Sequence, residues 1–71
     1  MMTKHHVRLK KAIRKYISEN GSMKSSDIKT ESSKIVRGVL RGMSDVEVIK
    51  WVTIRDRYTK YDVELWGFKS V

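Results

Sequence analysis

Ser32-Ser33-Lys34-Ile35-Val36-Arg37-Gly38-Val39-Leu40-Arg41-Gly42-Met43 decides how this chain is read. Ile35, Val36, Val39, Leu40 and Met43 recur at i, i+1, i+4, i+5 and i+8, which is one apolar stripe of an α-helix. Lys34, Arg37 and Arg41 stack at i, i+3 and i+7 on the other side, with Gly38 between them. Ser32 or Ser33 caps the start, because a serine hydroxyl accepts a hydrogen bond from an orphan N–H of the first turn. No acidic residue interrupts the stretch. A helix with one buried side and a purely cationic outer side suits a polyanion. The plainer reading is an amphipathic helix whose cations are only solvated.

The charge of the whole chain bears on that choice. Seventy-one residues make one small domain, expected to span 1–71 with flexible ends at 1–6 and 67–71. The formal charge is +8, and its placement is uneven. Residues 1–43 hold eleven Lys/Arg against three acids, whereas residues 44–71 hold five against five. The surplus therefore lies in the first three-fifths, and it points to a phosphate backbone or an anionic membrane as partner. There is no cysteine, so neither a disulfide framework nor a cysteine-based zinc site is possible. That composition fits a reducing, cytoplasmic setting. No apolar run approaches the ~20 residues that span a bilayer. The charged N-terminus has no apolar stretch behind it, so no signal peptide is expected.

Upstream, Leu9, Ala12, Ile13, Tyr16 and Ile17 match the helical template, and a first helix is expected over 4–19. Lys4, Arg8, Lys11 and Lys15 line its other side, with Lys10 and Arg14 beside them. Asn20-Gly21 ends it, because glycine adopts the left-handed C-cap without steric penalty. Ser22-Met23-Lys24 is a short connector or a residue or two of edge strand, with Met23 inward. Ser25 or Ser26 then caps a second, short helix through Glu31, anchored by Ile28, with Asp27 suiting the helix dipole.

Downstream, Val46–Arg55 is rich in strand-forming residues. Val48, Lys50, Val52 and Ile54 fall on one side, and Ile49, Trp51, Thr53 and Arg55 on the other. Tyr61, Val63 and Leu65 alternate with Asp62, Glu64 and Trp66 as a half-buried strand. The two strands form a β-hairpin whose tip, lacking Asn-Gly or Asp-Gly, is longer than a two-residue turn. Trp66 or Phe68 is placed to fold back onto the first helix.

In this order of elements the chain resembles the winged helix-turn-helix family of DNA-binding domains. The residues that carry the resemblance are the Ser-Ser-Asp-Ile opening of the second helix, the Ile35-Val36-Val39-Leu40-Met43 stripe, and a hairpin with Arg55, Arg57 and Lys60 near its tip. One departure is the polar turn Thr30-Glu31-Ser32-Ser33-Lys34, where the family has a glycine with apolar neighbours. The resemblance implies an α+β winged helix, three helices followed by a two-stranded β-hairpin wing. It implies a recognition helix in the major groove that presents Ser33, Lys34, Arg37, Gly38 and Arg41. It implies a wing that contacts DNA through Arg55, Arg57, Tyr58 and Lys60. It also implies a homodimeric transcriptional regulator, because one recognition helix reads few base pairs. The small size suits a phage, archaeal-virus or plasmid repressor, acting on the nucleoid or in a host cytoplasm.

Other chemistry is weakly represented. His5 and His6 are adjacent and diverge on a helix, so they are read as solvated and not as metal ligands. Asp62 and Glu64 share a strand face but have no nucleophile or base beside them, so they too are read as solvated and no enzymatic activity is expected. No cofactor, metal or small-molecule substrate is implied. Trp51, Trp66, Tyr58 and Tyr61 can stack on bases, although tryptophan at strand spacing is usually core. Two alternatives stand beside DNA binding. One is a protein–protein module of the same fold that docks an acidic partner. The other is a membrane-surface protein using the first helix, which has no Trp or Phe to anchor it.

Overall fold

A computed structural model describes residues 4–70, side chains included from His6 onward. The chain is α+β: helix α1 (Lys4–Asn20), a single 3₁₀ turn (Ser25–Asp27), helix α2 (Ser33–Gly42), and strands β1 (Val46–Arg55) and β2 (Lys60–Phe68). The strands pair antiparallel, and Met23 adds an isolated bridge to Trp66 on the free edge of β2. No helix is long and apolar enough to cross a membrane.

The expected second helix is not formed. Asp27 takes the N–H of Lys24 on its carboxylate (2.9 Å) and donates its own N–H to the Lys24 carbonyl (3.0 Å). That closes one tight turn. Ile28 then goes extended (φ −88°, ψ 104°) and is buried, so the chain leaves the helix in order to bury its one apolar anchor. Ser25 and Ser26 lie inside the turn, and neither caps a helix.

The two long helices follow their sequence signals. Gly21 has φ +83° and donates its N–H to the Ile17 carbonyl (2.6 Å), a left-handed stop open to glycine at no steric cost. Ser32 caps α2, its Oγ accepting from the Ile35 N–H (3.4 Å), and Ser33 is the first helical residue. α1 buries Leu9, Ile13 and Ile17 against Val36, Val39, Leu40 and Met43, with Met23, Ile28, Val46 and Trp66 completing the core. Ile35, expected in the stripe, is 43% exposed. Tyr16 packs at the core edge, where burial, and then the nearby Asp27 carboxylate, raises its phenol above the ordinary value.

The sheet departs from simple alternation. Val48 pairs with Trp66 but Lys50 pairs with Leu65, so Ile49 is a bulge. One extra residue inverts the period-2 pattern. Val48 therefore shares a face with Trp51 and Thr53, not with Lys50, Val52 and Ile54. On β2 the buried face is that of Trp66, and Tyr61, Val63 and Leu65 lie on the face turned away from the helices. Ile49 covers Gly67 on that outer face, where a Cβ would stand 3.2 Å from its side chain. α1 starts at Lys4, where the helical pattern was expected to begin, although 1–6 were also read as a flexible end, and the sheet reaches into the expected tail. Lys4–His6 belong to α1, Gly67 and Phe68 to β2, and Lys69 N–H bonds the Asp45 carbonyl (3.0 Å). Residues 1–3 and Val71, also expected to be flexible, lie outside the described residues.

Candidate nucleic-acid interface

The buried stripe of α2 turns Lys34, Arg37, Gly38 and Arg41 outward, and all four are exposed, as is Ser33 at the helix start. The arginines sit on the flank that meets the hairpin. Arg41 Nη2 stands 3.6 Å from Glu64 Oε1. Arg37 lines an open cavity of about 230 Å³ with Ser25, Trp51, Asp62, Glu64 and Trp66 among its walls. Gly38 has open space around it, since an added Cβ would meet nothing within 4 Å.

The inner face of the hairpin continues from the core toward its tip as a series of cross-strand pairs. Val48–Trp66 belongs to the core, and Trp51–Glu64, Thr53–Asp62 and Arg55–Lys60 follow. Thr53 Oγ1 donates to Asp62 Oδ1 (2.7 Å). Asp56 N–H bonds the Thr59 carbonyl (2.8 Å), which closes a four-residue loop, and Asp56 Oδ1 accepts the Arg57 N–H (2.7 Å). Tyr58 crowns the loop at 87% exposure. At about 3.3 Å per residue, Lys60 lies roughly 20 Å beyond Trp66. The tip thus holds Arg55, Arg57 and Lys60 well clear of the core. Arg55 and Lys60 face each other directly, and like charges so placed oppose strand pairing.

The predicted site residues therefore form two cationic banks. The helix bank is Lys34, Arg37 and Arg41, and the tip bank is Arg55, Arg57 and Lys60. Between them lie Asp62 and Glu64, which the sequence reading placed on a solvated face. Glu64 is not solvated: its side chain is 16% exposed and shares its charge with Arg41. The signal for this was the shared parity of Trp66, Glu64 and Asp62. The bulge at Ile49 hid which residues of β1 face them.

The cations of α1 take other roles. Arg14 donates from Nε to Asp45 Oδ2 (2.8 Å) and from Nη2 to Oδ1 (3.3 Å), tying α1 to the turn before β1. The Arg14 guanidinium holds the Asp45 carboxyl below its ordinary value, and that bond raises Arg14 in turn. Arg8, Lys11 and Lys15 are exposed on the outer side of α1. His6, expected in solvent, is half-buried beside α2, and the side chains of Lys4 and His5 lie outside the described residues. No protein-family model matches this chain, and no curated protein or solved structure shows significant similarity to it.

Proposed function

We propose that this chain is a pared-down winged helix, with a single 3₁₀ turn in place of the second helix, that binds double-stranded DNA as a transcriptional regulator. α2 enters the major groove, where Arg37 and Arg41 are suited to guanine O6 and N7. Lys34 and the tip residues Arg55, Arg57 and Lys60 neutralise phosphates on either side, with Tyr58 packed on the backbone. The observation that carries this reading is the like-charge pair Arg55–Lys60 at the end of a hairpin projecting from a chain of charge +8. The pair weakens the strand end that it occupies, and an anion between the two side chains relieves that cost. The Met23–Trp66 bridge ties the connector after α1 to the free edge of β2 and so fixes the hairpin root against the helices.

Glu64 and Asp62 temper the interface. With Arg41 partly neutralised, phosphate contacts dominate over base contacts and sequence discrimination is modest. A homodimer extends the readout to two half-sites. The outer hairpin face carries Ile49, Val52, Ile54, Tyr61, Val63 and Leu65, with Lys50 and Glu47 of opposite charge among them, and is where two such basic chains meet with least repulsion.

The test is fluorescence anisotropy with a labelled random-sequence duplex. With about five phosphate contacts, log K falls against log salt with a slope of roughly −4 to −5. Lys34→Glu/Arg57→Glu, two residues without a described side-chain ion pair, is expected to lose at least tenfold in affinity with an unchanged circular dichroism spectrum. Lys11→Glu/Lys15→Glu on α1 serves as the charge-matched control. Equal losses in the two variants mean a non-specific basic coat, and no binding at low salt ends the reading.

A further inference from the structure

The other flank of α2 faces α1. There Ile35, Gly38, Val39 and Gly42 form, with His6 and Lys10 of α1, an open groove of about 430 Å³. At about 100° per residue, Ile35 lies about 160° and 120° round the helix from Arg37 and Arg41, and Gly42 about 140° and 100°. The groove is therefore a different surface from the concave side that faces the hairpin. Its floor is apolar, and Ile35 stands 43% exposed in it although the core beside it is closed.

Two features of this groove have no explanation inside the fold. Glycine is disfavoured in a helix relative to alanine, yet α2 carries two within ten residues, one turn apart. A Cβ at Gly38 or Gly42 would meet nothing within 4 Å, so no packing among the described residues demands glycine at either place. Their missing side chains leave the groove open.

Charge selects the occupant. Among the described residues no acid lines the groove; Lys10 does, and the exposed Lys34 stands at its rim, about 40° round the helix from Gly38. A second copy would bring its own cationic α2 against this one. A nucleic acid offers phosphate where the groove offers hydrocarbon. We propose that the groove docks an amphipathic helical segment of a partner protein, apolar along one side and acidic on both flanks of that side. Its apolar ridge fills the space over Gly38 and Gly42 and covers Ile35, and its carboxylates meet Lys10 and Lys34. This is the helix-in-groove mode of recognition, with the small residues letting the incoming ridge sit deep. The proposal does not depend on DNA binding, since it uses the flank of α2 turned toward α1.

The probe is a fluorescein-labelled 18-residue peptide with leucines at i, i+3, i+4 and i+7 spacing and glutamates elsewhere. It is titrated with the full chain at physiological salt. Binding is expected, at least tenfold weaker for Ile35→Ser and for Gly42→Leu, both of which keep their thermal midpoint and their duplex affinity within twofold. A peptide with serine for leucine is expected not to bind, and neither is one with lysine for glutamate. Failure of the acidic peptide to bind overturns the proposal. So does equal binding of the serine peptide, which would mean charge attraction alone, or unchanged affinity in both variants. Sedimentation that finds a dimer abolished by Gly42→Leu assigns the groove to a second copy and also overturns it. Duplex titrations run alongside keep this result separate from the fate of the DNA reading.

Discussion

Ile13, Val36 and Leu40 have no exposed surface, while on the hairpin Trp51, Tyr61 and Tyr58 stand 63%, 51% and 87% exposed. The helical base is held by burial of aliphatic side chains between α1, α2 and the root of the sheet. The outer hairpin, beyond Trp51 and Glu64, has no core of its own. Ladder hydrogen bonds and cross-strand pairs hold it, each pair worth roughly 0.2–1 kcal/mol. A two-stranded hairpin alone is marginal in water, so this one persists because Val48 and Trp66 anchor its root. Its side chains are thereby released from packing. The sequence spends them on charge, including an Arg55–Lys60 pair that opposes the strand pairing it belongs to.

The largest test of this contrast sets one core residue against one hairpin residue. Ile13→Ala is expected to lose about 2–5 kcal/mol, comparable to the whole stability of so small a chain. Ile54→Ala is expected to lose less than about 1 kcal/mol, within the range of strand-position effects. Urea titration measures both, and a similar loss at the two sites would mean that the outer hairpin shares the core. A smaller effect, of opposite sign, is expected at the tip. Lys60→Glu replaces a repulsive pair by an attractive one and should stabilise the hairpin by about 0.2–1 kcal/mol. The same change should weaken duplex binding, and a gain or loss in both properties together would break the link between repulsion and function.

The smallest effect is set by pH. Asp45 holds its proton less tightly folded than unfolded, because Arg14 stabilises the carboxylate. As pH falls toward and below the ordinary aspartate value of about 3.9, the unfolded chain takes up the proton first and the stabilisation drains away. Above that range it is fully present. Both groups are exposed, so the change is small. Asp45→Asn should flatten this part of the profile in thermal melts between about pH 5 and pH 2.5.

Much of the base was legible from local pattern. The stripes of α1 and α2 have the helical period, and Ser32 and Gly21 stand where a cap and a stop belong. Ile35 breaks the pattern because it lies at the margin of the stripe, over the open groove between the two helices. The Ser25-Ser26-Asp27 signal was misread: the turn starts at Lys24, neither serine caps a helix, and burying Ile28 pulled the chain out after one 3₁₀ turn. The inner face of the hairpin was misread because a single bulged residue, Ile49, reverses the alternation, and nothing local marks it. The six predicted cations are all exposed, as is Asp62, but Glu64, also read as solvated, is largely covered beside Arg41.

Periodicity, caps and charge surplus are properties of neighbouring residues, so the chain alone sufficed for two helices, a hairpin and a basic first half. Which charges meet depends on register and on contacts such as Arg14 with Asp45, 31 residues apart. The pairings on the hairpin's inner face exist only once Trp66 is buried and the bulge has set the facing residues. Burial of one large side chain thus decided that Glu64 would lie beside Arg41, a choice made by the packed core and invisible in the order of the residues.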